Sequence, residues 1–221
     1  MSWQLGDTSR KYEVGKGGPT TVSSGAGDRG GVSYGTYQLS SKTGTCAAFV
    51  KRMGYTQYFG FAEPGSAKFS ALWKKAPEYY PDFGSDQHEF IRLTHYQPQI
   101  DFLKQKGIDL SKRGPAVQDA VWSTSVQFGG GTSLIAKSLS GKNSNKMSDA
   151  DIVSAIQDYK IANNSALFKS SSPAVRASTL NRAKNEKAGL IKLAQSEPAK
   201  DDSLIGSIAA IFDAISAGGN S

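Results

Sequence analysis

A chain of 221 residues with 38% hydrophobic and 20% charged residues has material for one compact domain with a core, which excludes a disordered chain. Lys and Arg outnumber Asp and Glu by 26 to 19, and the excess is spread thinly, a diffuse positive field suited to a polyanion such as nucleic acid or the anionic bacterial wall. No helix-turn-helix, zinc-finger or aromatic RNP signature is present, which sets nucleic acid aside as a partner, and no apolar stretch approaches the roughly 20 residues that a bilayer-spanning helix needs.

Residues 1–12 are polar and read as loosely ordered. Eight glycines fall between 15 and 35, a density that resists helix and suits turns and close backbone approach. Val32 to Leu39 then alternates loosely, as a short β-hairpin or extended arm would. Beyond Ser41 the pattern becomes helical. Cys46, Phe49, Val50 and Met53 recur at helical spacing until Gly54. Ser66 caps a helix that runs through Trp73. Ser85 begins another, which Pro98 is expected to kink or end. Pro115 fits the first turn of a helix through Gln127, stopped by Gly129-Gly130-Gly131. Ser148 and Asp151 make a near capping box for a helix through Ala162. Pro173 opens a long helix through Gln195. Residues 1–196 thus read as one mainly α catalytic domain, with the hairpin or arm beside a cleft. Residues 197–221 read as a linker and a C-terminal amphipathic helix. Its apolar face, 203–217, suits packing on the core, a partner or a membrane surface.

Two acidic residues frame the glycine-rich segment. Glu13 stands before it, and Asp28 lies within Gly27-Asp28-Arg29-Gly30-Gly31. Paired carboxylates across a groove suit glycosidic bond cleavage: one gives a proton to the leaving oxygen, the other handles water or the cationic sugar. A general acid needs a raised pKa from apolar or aromatic neighbours, and Tyr12, Tyr34 and Tyr37 are at hand to supply them. Glu13, the Gly27–Gly31 run and Tyr34-Gly35-Thr36-Tyr37-Gln38-Leu39 together resemble the active-site stretch of goose-type lysozymes. The stretch is also similar to soluble lytic transglycosylases, including those of phage tails and endolysins. The likeness covers roughly residues 12–40. It implies a lysozyme-like α+β fold, Glu13 as general acid, Asp28 as the water-positioning or cation-stabilising carboxylate, and sugar contacts around Tyr37 and Gln38. Ser123–Gly129 echoes a second family turn, with Gln127 as an amide for the acetamido group. A helix C-cap explains the same residues. Two departures stand out: Ser40 and Ser41 replace a later aspartate, and Val14 and Gly15 follow the glutamate where the family has serine.

The substrate expected is bacterial peptidoglycan, cut between N-acetylmuramic acid and N-acetylglucosamine without a cofactor. A muramidase directs water with the help of Asp28, whereas a lytic transglycosylase uses the sugar's own 6-hydroxyl. A non-catalytic glycan-binding virion or effector module is the competing class. His88-Glu89 and His95 invite a metal, but residues seven apart on a helix stand about two turns from each other, too far to chelate one ion. No metal site is expected, and the histidines read as groove-lining or structural, with Asp86 and Glu89 as extra carboxylates near the cleft. Cys46 suggests a cysteine peptidase only if its thiol is acidic, and a lone cysteine on an apolar face is more often core. As the only cysteine, it also rules out an internal disulfide. That fits synthesis in a reducing cytoplasm. Met1-Ser-Trp-Gln-Leu-Gly-Asp has no basic-then-apolar signal. Delivery to the wall is therefore expected from phage lysis or infection machinery, or from a secretion apparatus.

Overall fold

The computed structural model describes residues 3–13, 17–23 and 30–196, without the side chains of Lys11 and Glu13. Residues 24–29, Asp28 among them, and the 197–221 segment, with its expected linker and amphipathic helix, lie outside the described residues. Within them the chain is mainly helical, as expected, with one two-stranded sheet. Strand β1 (Ser33–Tyr34) pairs antiparallel with β2 (Leu39–Ser40), Tyr34 opposite Leu39, and Val22 bridges to Tyr34 from the other side. The expected hairpin arm is therefore present. Its turn uses Gly35 at φ 71° and Gln38 at φ 53°. A side chain at Gly35 would meet Gln87 Oε1 at 2.2 Å, so the close approach as well as the left-handed backbone requires glycine.

Helix α1 (Arg10–Glu13) precedes the arm. Then come α2 (Thr45–Arg52), α3 (Thr56–Phe59), α4 (Ala67–Tyr79) and α5 (Phe83–Ile91). They enclose an aromatic core. Phe49 sits at its centre, its ring centroid 5.4–5.6 Å from those of Tyr55, Trp73, Phe83 and Phe90. Each such pair contributes about 0.5–1.5 kcal/mol beyond area burial. Tyr34 closes this core from the arm: it is fully buried against Phe69 and Trp73.

The second core is aliphatic. It is built by α6 (Gln97–Gln105), α7 (Pro115–Phe128), α8 (Leu134–Ser138), α9 (Asp149–Ala162) and α11 (Pro173–Ser196), with α10 (Asn164–Leu167) alongside. Residues 116–125 of α7 are all buried, which makes it the central helix. Its small polar residues survive burial by finding partners: Thr124 Oγ1 donates to Ala120 O, Ser125 Oγ to Trp122 O, and Ser123 Oγ to Glu186 Oε1. Ser66 and Ser148 cap α4 and α9 as the sequence implies, accepting from Phe69 N and Asp151 N.

Pro98 neither ends nor breaks the helical run. Between α5 and α6 lies one π-helical turn, Arg92–Tyr96. Proline lacks an N–H for the carbonyl four residues back, that of Thr94, and its ring clashes there in a regular helix. The wider turn absorbs the mismatch. The Thr94 and His95 carbonyls lie against Gly130, where a Cβ would meet them at 2.9 and 2.7 Å. The glycine run after α7 thus also makes room for this turn.

Candidate functional site

A cleft of about 550 Å³ opens between three pieces of chain. Trp3, Leu5, Asp7 and Arg10 form one wall, Pro19, Thr36 and Tyr37 of the arm another, and Gly84, Ser85 and His88 of α5 the third.

The N-terminal wall is not loosely ordered, contrary to its polar composition. Asp119, fully buried on α7, reaches across and accepts Gly6 N at 2.7 Å, Thr8 N at 2.9 Å and Trp3 Nε1 at 3.2 Å. Burial pushes the Asp119 carboxyl above the usual carboxylate range, and these donors partly offset that. Farther along, the Arg182 guanidinium sits 5.1 Å over the Tyr12 ring. Arg182 is itself bound to Glu186, which also holds Lys160.

The arm is fastened to α5 by one buried side chain. Gln87 Oε1 accepts Thr36 N at 2.9 Å, and its Nε2 donates to Pro19 O at 3.0 Å. Pro19 O also takes Trp73 Nε1 at 2.8 Å. At the cleft floor, His88 stacks on Trp122, centroids 4.5 Å apart, and its Nδ1 lies 2.6 Å from the Tyr37 hydroxyl. Burial, helped by the nearby Arg10 charge, lowers the His88 pKa, so at neutral pH the ring is an uncharged partner for Tyr37.

Of the predicted site residues, Tyr37 alone among the described residues lines this cleft. It also lines a second depression of about 290 Å³, shared with Gln38, His95 and Val126. Gln38 turns its amide nitrogen back to Gly35 O at 3.1 Å. Gln127 follows Val126, and its Oε1 is buried without a hydrogen-bond partner among the described residues. Tyr34 does not belong to the cleft. It is core, its hydroxyl accepting Gly65 N at 2.8 Å and bonding Ser70 Oγ at 2.9 Å. Glu13 ends the helical turn that Arg10 begins, with its side chain outside the described residues, as is all of Asp28.

Asp86 and Glu89 are engaged elsewhere: Asp86 accepts the Tyr55 hydroxyl, and Glu89 forms a forked pair with Arg92 at 2.6 and 2.7 Å. Cys46 is fully buried and burial pushes its thiol up to about 12, the setting of a core residue rather than of an activated nucleophile. Sequence reasoning missed Trp3, Arg10 and Asp119. A tryptophan near the start of a polar segment was the available signal for the first.

A family model described as type VI secretion system spike protein VgrG3-like, C-terminal, matches residues 5–187. The chain belongs to that family. This VgrG3-like C-terminal chain is also 43% identical over 192 residues to the type VI secretion system spike protein VgrG3 of Vibrio cholerae serotype O1. The aligned region takes in 86% of the chain but 19% of that protein, so the chain spans about a fifth of its relative's length. Membership of the VgrG3-like family corrects the resemblance carried by residues 12–40. The chain is not assigned to the goose-type lysozymes or soluble lytic transglycosylases, and the phage endolysin reading falls with them. The expected fold is correct as mainly helical, while nothing in the family match supports its lysozyme-like part. A short glycine-rich stretch recurs too easily to outweigh a match along most of the chain. Among the described residues no helix is long and apolar enough to cross a membrane.

Proposed function

We propose that this chain is an effector module carried by a type VI secretion spike, and that it binds and cuts the glycan strands of bacterial peptidoglycan. Family membership supports the effector-module part. The cleft carries the glycan part: Trp3 and Tyr37 offer ring faces for sugars, and the neutral Tyr37–His88 pair offers fixed polar atoms. A second depression also borders Tyr37, and on this reading it extends the binding groove along a polymer. Gln38 and Gln127 are proposed to contact the strand there.

On this reading Glu13 protonates the oxygen between N-acetylmuramic acid and N-acetylglucosamine, and Asp28 directs water or steadies the cationic sugar. Glu13 belongs to the turn whose first residue lines the cleft. A proton donor needs a carboxyl pKa raised by burial beside apolar or aromatic groups. Synthesis in the cytoplasm and delivery by the secretion apparatus complete the proposal.

Incubation of the purified chain with peptidoglycan sacculi, followed by mass spectrometry of the soluble fraction, tests it. The expected result is binding, with release of disaccharide-peptides bearing hydrated reducing ends. Binding without release would make the chain a non-catalytic glycan-binding effector module. Anhydro ends would make the sugar's own hydroxyl the nucleophile and leave Asp28 without its water-directing role. Neither binding nor release would overturn the reading.

A further inference from the structure

The N-terminal wall of the cleft carries two opposite charges, and their engagement differs. Asp7 turns its carboxylate onto its own backbone, Oδ2 accepting Gln4 N at 2.8 Å. Arg10 follows three residues later, a spacing at which carboxylate and guanidinium pair on a helix. No such pair forms: among the described residues Arg10 has no hydrogen bond or ion pair. Among the described residues, the remaining side chains that line the cleft are uncharged, His88 included. Beside Arg10 stands Trp3, 38% exposed, with its indole N–H tied inward to Asp119. A ring-stacking surface and a guanidinium without a counter-charge among the described residues thus share one wall.

A glycan of neutral N-acetylglucosamine units offers a guanidinium only neutral acceptors, its hydroxyls and acetamido carbonyls, and no counter-charge. A carboxylate fits its planar fork through two parallel charge-assisted hydrogen bonds. We propose that Arg10 is the specificity-determining residue of the cleft, selecting glycan strands that bear a carboxylate substituent over neutral strands of the same backbone. This rests on the glycan-binding reading above. In the wall polymer that carboxylate comes from two sources, the peptide stem or the lactyl group left bare when the stem is removed.

Calorimetric binding on the Glu13→Gln background, which prevents cutting during the titration, compares three soluble probes. They are peptide-bearing wall fragments, peptide-free strands with bare lactyl carboxylates, and chitohexaose. Arg10→Gln is expected to weaken at least one carboxylate-bearing probe about tenfold and to leave chitohexaose within about twofold. Loss confined to the first probe assigns the stem carboxylate, loss confined to the second the lactyl carboxylate, and loss on both assigns both. Arg10→Lys is expected to restore part of the lost affinity, because a lysine keeps the charge but not the fork. Equal weakening on all three probes, or on none, would overturn the selectivity while leaving glycan binding intact. Failure of the Arg10-containing protein to bind any probe would overturn glycan binding itself and the selectivity with it.

Discussion

Asp119 and Glu186 are both buried carboxylates that hold the N-terminal segment, and their surroundings set them different tasks. Asp119 faces neutral donors: two backbone amides and an indole. Burial dominates there and pushes its pKa up. Glu186 is 1% exposed and is likewise pushed up by burial, but Lys160 at 3.1 Å and Arg182 at 2.7 Å more than offset this, with Ser123 Oγ donating at 2.9 Å. Its pKa is held below the usual range. One carboxylate therefore shapes backbone by hydrogen bonding, at the Trp3–Thr8 wall. The other is a shared counter-charge for two cations and, through Arg182 over Tyr12, anchors the end of the segment next to Glu13. The same functional group acts as a geometric clamp in one place and as a counter-charge in the other.

Glu186→Gln should have the larger effect. It removes the carboxylate that Lys160, 3% exposed, holds at 3.1 Å, and breaking such a buried pair costs about 3–5 kcal/mol, readable in urea unfolding. A loss near zero would mean that the cations reach water easily and that the counter-charge role is minor. Asp119→Ala should cost about 2–3 kcal/mol, because it strips the amides of Gly6 and Thr8 of their acceptor. Amide exchange should accelerate at those two positions while α7 and α9 stay protected, which separates a local clamp from a global support.

Acidity sharpens the same contrast. Glu186, with its pKa lowered from the ordinary 4.5, contributes stability that is complete above that value and is lost as pH falls through its folded pKa. Asp119, with its pKa raised from the ordinary 3.8, contributes stability that is complete below that value and is lost as pH rises through its folded pKa. Glu186→Gln should flatten the acid side of a stability–pH curve, and Asp119→Asn should flatten the segment just above the carboxylate range. Curves unchanged in both variants would contradict the assignment. The smallest effect belongs to Tyr37→Phe, which removes the 2.6 Å bond to His88 at a cost of about 1 kcal/mol in unfolding experiments.

The helical body was legible because its signals are local. Ser66 and Ser148 cap, Pro115 and Pro173 open, and Gly129 stops, each within a few residues of the feature it marks. The hairpin was legible for the same reason. What was missed depends on partners distant in sequence. Asp119 reads as an ordinary polar position in a helix until its partners, 111 and 113 residues away, fold onto it. Tyr34, beside glycines, reads as an open cleft wall, yet α4 supplies the Phe69 and Trp73 surfaces that bury it. Pro98 reads as a break because a local rule cannot anticipate the π-turn that accommodates it. At the cleft, Tyr37 was visible as an aromatic in the arm. Trp3 and Arg10 were hidden by the polar look of the segment that Asp119 pins in place.

Release of soluble fragments from sacculi by the unaltered chain and by Glu13→Gln, with co-sedimentation as a binding control, tests the central claim most directly. Loss of a general acid lowers rate by about 10²–10⁴-fold. The account predicts a fall of that size with binding retained. Release at an undiminished rate by Glu13→Gln would contradict it.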